Sequence, residues 1–238
     1  MSESLGKMDK PEVSQFKNGR KLFLVPLIVL PPSTDPSHKA LIDKYWREVS
    51  EHVANLESKL SQTKYVFHEL VPSEDSINQL EKMMVGTYQL VKSQIEKGAT
   101  LCSIEDDEIM QEFLDWNMCL SLRLHSHKVF TKIYDAFQEV VLRRNESIAK
   151  RIDDALESEA VGVLFLREGH RVQFPSDIQV FYIAPPSLDV LRRTINDWKQ
   201  AKPTNDDPTC DCSDDDCECN EKGHEASGCE CHCDDSKT

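Results

Sequence analysis

The chain has 238 residues and a formal net charge of −14, from 28 Lys and Arg against 42 Asp and Glu. The segment from Pro203 to Thr238 holds 12 acidic and 2 basic residues, so the rest is only weakly acidic and carries no basic stripe. This balance excludes direct nucleic-acid binding and repels phosphate backbones and anionic membranes. The roughly 200 residues before the tail are enough for one domain with a full core.

Residues 1–19 are polar and read as a flexible N-terminus; the folded domain is expected over 20–201. Lys21 to Leu30 is a continuous β-friendly run ended by Pro31-Pro32, which predicts a buried strand. LFLVPLIVL is too short to span a bilayer, contains Pro26 and lacks a small-residue cleavage site, so it is read as core rather than signal. A cytosolic location is expected. Asp35-Pro36 opens a helix whose apolar positions Ile42, Tyr45, Trp46, Val49, Val53, Leu56 and Leu60 recur at spacings of three and four. Lys64 to Val71 reads as a second strand. Ser73 is expected to cap a helix running to about Lys97.

Thr100 to Ile104 predicts a brief strand or a turn, and Glu105 to about Leu124 a helix whose acidic start suits the helix dipole. Lys128 to Leu156 predicts a long helix with an inner face of Val129, Ile133, Phe137, Val140, Val141, Ile148, Ile152 and Leu156. Val161 to Leu166 and Ile178 to Ala184 are nearly all apolar strands. Ser187 is expected to cap a closing helix to about Gln200. Apolar strands separated by helices give an α/β domain: a small parallel or mixed sheet flanked by long helices, followed by a disordered Cys-rich tail over 202–238.

The tail holds Cys210, Cys212, Cys217, Cys219, Cys229, Cys231 and Cys233, with His224 and His232 among them. Apart from proline, its only aliphatic side chain is Ala226, so it cannot bury enough surface to offset its ordering entropy. Thiolates in C-x-C pairs are ligands for Zn(II) or Cu(I), and metal binding can supply the missing folding energy. The spacing resembles metallothionein more than the C-x-x-C knuckles of zinc ribbons. A reducing cytosol and an odd cysteine count favour metal over a closed disulfide set. Metal ions are therefore the expected partners, as zinc or another soft ion. Cys102 and Cys119 are expected to be small buried hydrophobes.

In the domain, sites of α/β sheets lie beyond the carboxyl ends of strands. Two expected strands end in polar clusters: His68-Glu69, and Arg167-Glu168-Gly169-His170-Arg171. Arg143, Arg144, Asn145 and Glu146 stand upstream on the long helix. His125-Ser126-His127 is a further ligand pair, provided the chain is extended between two helices.

The stretches RRNESIAKRIDDAL, GVLFLREGHRV and KYVFHELV resemble the TraB/GumN group with its ChaN and erythromycin-esterase relatives, where an arginine-led helix precedes a strand and a glycine-histidine turn. The resemblance implies metal-assisted hydrolysis with Glu69, Arg143 or Arg144, and His170 at site positions; Glu168 joins them in the hydrolase reading. The group's glycine-x-x-histidine motif after the first strand is missing from LFLVPLIVLPPS. A soft-metal-binding protein, a hydrolase of this group and a non-catalytic protein-interaction adaptor are the three functions that the sequence leaves open.

Overall fold

The computed structural model describes residues 16, 18–28, 36–71 and 77–201. The seven tail cysteines, His224 and His232 lie outside these residues, as do Asp35 and Ser73. The elements in chain order are β1 (Arg20–Leu27), α1 (Pro36–Lys59), β2 (Tyr65–His68), α2 (Ile77–Met83), α3 (Val85–Glu96), β3 (Thr100–Cys102), α4 (Asp107–Ser121), α5 (His127–Ala155), β4 (Val161–Arg167), β5 (Ile178–Tyr182) and α6 (Pro186–Ala201). The five strands form one sheet in the order β3-β2-β4-β1-β5. Every pairing is parallel, so of the two expected sheet types the parallel one is present.

Central β1 and β4 are buried along almost their whole lengths, as apolar strands covered on both faces must be. Alternate side chains divide the core in two. Phe23, Val25, Val66, Leu101, Val163 and Phe165 pack with Tyr45, Trp46, Val49 and Val53 of α1, Leu90 and Val91 of α3, and Leu188 and Leu191 of α6. On the other face Leu22, Leu24, Phe67, Ile104, Leu164 and Leu166 meet Ile148, Ile152 and Leu156 around the C-terminal half of α5. Gly162 of β4 permits this second contact: a Cβ there would stand 2.8 Å from Phe67 Cε2, 3.2 Å from Leu22 Cδ1 and 3.3 Å from Leu156 Cδ1.

Several local expectations are corrected. The helix expected up to Lys97 is two helices, broken at Met84, whose backbone is not helical (φ −149°, ψ 74°). The amides of Met84 and Tyr88 still find the carbonyls of Leu80 and Met84, so the break leaves these donors satisfied. Just beyond it, Gly86 lies so close to Trp46 that no Cβ fits. Ser187 lies inside α6 rather than capping it. The cap comes from α1 instead: Glu48 Oε2 accepts from the Ser187 amide at 3.1 Å and hydroxyl at 2.6 Å, satisfying a free donor of the first turn.

The inner face expected for α5 holds only from Val140 onward. Val140, Ile148, Ile152 and Leu156 are buried, whereas Val129 is 44 % exposed. The reason is length: at about 1.5 Å per residue α5 is about 43 Å long, more than a sheet of strands of at most eight residues can cover. Its N-terminal half packs with α4, which has no buried residue. Cys102 and Cys119 are half-buried rather than buried. Among the described residues no helix is long and apolar enough to cross a membrane.

Candidate functional site

The carboxyl ends of β2, β3 and β4 each deliver a charged residue to one place. Glu69 follows β2, Glu105 follows β3 by three residues, and Arg167 closes β4. Arg144 reaches in from α5. Its Nη2 donates to Glu69 Oε1 at 2.8 Å, its Nε donates to Glu105 Oε2 at 3.0 Å, and Nη2 also bonds Glu105 Oε1. Glu69 is held from β4 as well: Oε2 accepts from the Arg167 amide at 2.7 Å and Oε1 from Arg167 Nε at 2.8 Å. The Arg144 guanidinium also lies over the Phe113 ring of α4, 5.0 Å from its centroid, a cation–π contact. Arg143, the alternative candidate, is exposed and pairs with Glu112 at 2.6 Å.

The two carboxylates respond differently to this shared partner. Burial would push Glu69 up, but the Arg167 charge and the bonds from Arg144 and Arg167 outweigh it, so Glu69 lies below the usual carboxylate range. For Glu105 burial prevails over Arg144, with help from the Glu69 charge, and the carboxyl is raised. Glu69 is only 2 % exposed and its oxygens are filled by guanidinium and amide donors. It ties the carboxyl ends of β2 and β4 to each other and to Arg144.

The other two candidates, Glu168 and His170, line a separate cavity of about 120 Å³ beside that tie. Leu24 and Pro26 of β1, Leu166 of β4, Gly169 and Tyr182 of β5 complete its wall. The position follows from topology. The chain leaves β4, passes the end of β1 and enters β5 on its far side, so the connection after β4 overhangs the point where strand order reverses. Gly169 makes the turn with a left-handed φ of +83°. A Cβ there would meet nothing within 4 Å, so the demand for glycine is conformational.

The hydroxyl of Tyr182 donates to Glu168 Oε1 at 3.0 Å, and Arg192 of α6 donates to the same carboxylate through Nε at 3.1 Å. These bonds hold Glu168 below its ordinary value against modest burial. His170 is half-buried; burial lowers its pKa while the Glu69 charge opposes, so the imidazole is neutral near pH 7. Its Nδ1 is buried and has no hydrogen-bond partner among the described residues. A neutral imidazole at a cavity wall, next to an ionised carboxylate and a phenol, can accept or relay a proton.

The expected candidates thus split into two pairs, Glu69 with Arg144 and Glu168 with His170. Glu105, Arg167, Tyr182 and Arg192 were not singled out by sequence as site residues on their own account. Glu105 reads there as a dipole-favoured first turn, yet it precedes α4, whose N-cap is Asp106, accepting from the Ile109 amide at 3.3 Å. Its signal is the one that marks Glu69: a charged residue just after an apolar strand. His125 and His127 are exposed at the α4–α5 turn and the start of α5. Among the described residues no three His, Cys, Asp or Glu side chains are grouped to hold a metal ion, and Glu69 and Glu105 already accept from arginines. A metal bound as in the TraB/GumN resemblance therefore has no fitting donor set in the described domain. No protein-family model, curated protein or solved structure matches this chain.

His68 adds a titratable group with no exposed surface. Its Nδ1 accepts from the Leu70 amide at 3.0 Å, which puts the neutral ring's proton on Nε2, an atom without a partner among the described residues. Burial pushes its pKa down to about 4. The unfolded chain takes up this proton near pH 6.5, so His68 contributes full stability above that pH. The contribution is lost as pH falls towards about 4, and its size is roughly 2–4 kcal/mol. Urea unfolding should show this decline between the two pH values, and His68→Phe should flatten it. Arg144→Met should lower stability at pH 7 by about 3–5 kcal/mol, because it strands buried charge. Adding Glu105→Gln should restore a large part of that loss in the same measurement.

Proposed function

We propose that this protein binds soft metal ions, zinc or Cu(I), through the C-x-C thiolates of its tail, in a cytosolic setting that keeps them reduced. The observation that carries this reading is the run Cys210 to Cys233, seven thiols and two histidines in a segment with no other means of ordering itself. Each structural zinc takes four donors, so the nine donors suffice for about two ions held separately or as a small bridged cluster. The surrounding carboxylates attract divalent cations and raise thiol pKa values, so affinity falls below neutral pH. Elemental mass spectrometry of the full chain purified under reducing conditions should find about two zinc equivalents. Replacing Cys229, Cys231 and Cys233 by serine should remove about one of them. Equal metal in both proteins, or none in either, would sink the reading.

A second reading is favoured by the cavity at the strand-order reversal: ester or amide hydrolysis by acid–base chemistry, in place of the metal-assisted hydrolysis that the TraB/ChaN resemblance implies. In it His170 accepts a proton from the water that attacks the carbonyl carbon and returns it to the leaving alcohol or amine as the C–O or C–N bond breaks, Glu168 with Tyr182 orients the imidazole or the substrate, and the Glu69–Arg144–Glu105 anchor holds the edge in shape. No step requires a metal. A panel of p-nitrophenyl esters assayed with the full chain tests it: His170→Ala should cut kcat/KM by about 100-fold or more with the circular dichroism unchanged. Activity equal to that of the variant would leave the cavity without this role.

A further inference from the structure

The cavity lined by His170 has an apolar floor, made by Leu24 and Pro26 of β1 and Leu166 of β4. Two prolines explain why the sheet opens there. The last bond of the β1–β5 ladder runs from the Ile183 amide to the Leu24 carbonyl at 2.8 Å. The next rung would need amide protons on Pro26 and Pro185, and proline has none. Pairing of β1 with β5 therefore stops at Leu24 and Tyr182. The Pro26 carbonyl accepts instead from the Tyr45 hydroxyl of α1 at 2.6 Å, which fixes this part of the floor.

Leu24 and Leu166 are 7 % and 2 % exposed and belong to the core that packs on α5, so the floor has little free volume to withdraw into. The cavity holds about 120 Å³. A cavity of about 150 Å³ accommodates benzene, so this one takes about five non-hydrogen atoms at the same density. A butyryl group just fits; a hexanoyl group or a p-nitrophenyl ring does not. Glu168, the charged group on the wall, already accepts from Tyr182 and Arg192, so an aliphatic chain seated there strips no unpaired charge of water. We propose that the cavity is an acyl pocket for short aliphatic chains of about two to four carbons. The inference rests on the hydrolytic reading above and adds its substrate class: acetyl to butyryl esters or amides whose larger leaving group stays outside. Water adds to the acyl carbon, the bond to the leaving alcohol or amine breaks, and the proton passes through His170 to that group, which leaves the short carboxylic acid as product.

The acetate, butyrate, hexanoate and octanoate esters of p-nitrophenol, assayed with the full chain, test this, with His170→Ala as the background. Above that background kcat/KM should be highest for acetate or butyrate and fall about 10-fold or more at hexanoate. Leu24→Ala opens the floor from β1 and should narrow the gap by raising the hexanoate rate, with circular dichroism to confirm that the variant folds. Leu166→Ala opens it from β4 and should do the same. His170-dependent activity that holds or rises through octanoate would overturn the acyl pocket and leave hydrolysis standing. Activity on no ester above the His170→Ala background would sink both.

Discussion

The Arg144 guanidinium is the constraint on which the working edge of this molecule depends. It stands between Glu69 and Glu105, at the ends of β2 and β3, while Glu69 is gripped from the other side by Arg167 of β4. Three adjacent strands are therefore tied across their carboxyl ends by one ionic chain, anchored to α5. With Arg144 and both carboxylates nearly inaccessible to water, the pairing is strong only because each oxygen meets a donor. The opposite shifts of Glu69 and Glu105 express the imbalance: one carboxylate has two arginines and a backbone amide, the other depends on a single arginine.

The neighbouring cavity is walled by apolar strand residues and by the polar Glu168, His170 and Tyr182. The β4–β5 connection leaves Arg167, which Glu69 fixes by two bonds, and turns at Gly169. On its other side Glu168 is held by Arg192 and Tyr182. His170 is carried between two rigid charge clusters, one at the β2–β4 edge and one at β5 and α6. Its buried Nδ1 without a partner contrasts with the fully bonded Glu69 beside it. That contrast separates a group fixed by its partners from one that is not.

The molecule has two faces of different character. One side of the sheet, under α1, α3 and α6, is sealed by a broad aromatic and aliphatic core. Among the described residues the other is covered mainly by α5, whose N-terminal half continues past the sheet against α4. The outward part of α5 keeps the apolar spacing of the buried part. A periodic pattern records that a face is to be buried, but not whether the sheet, a sister helix or a second chain will bury it. For this reason Val129 and Ile148 look equivalent in the sequence and differ in the fold.

The sequence by itself determined the α/β class and most of the elements, but not the break at Met84 that makes two helices of one. Uninterrupted apolar runs such as VGVLFL require cover on both faces, and spacings of three and four in α1 and α5 require helices; both follow from local periodicity. It also pointed to Glu69 and His170 through their place after strands, and it isolated the tail, whose composition rules out a core. The tail's metal chemistry remains a proposal from those residues. Only the tertiary structure decided that β4 inserts between β2 and β1, and that Arg144 rather than Arg143 turns inward. It likewise decided that Glu105 is buried rather than decorating a helix start, and that Glu48 caps α6. Each of these depends on contacts between residues 39 to 140 positions apart. No local pattern encodes them, because the partner that makes an ionisable side chain worth burying comes from another part of the chain.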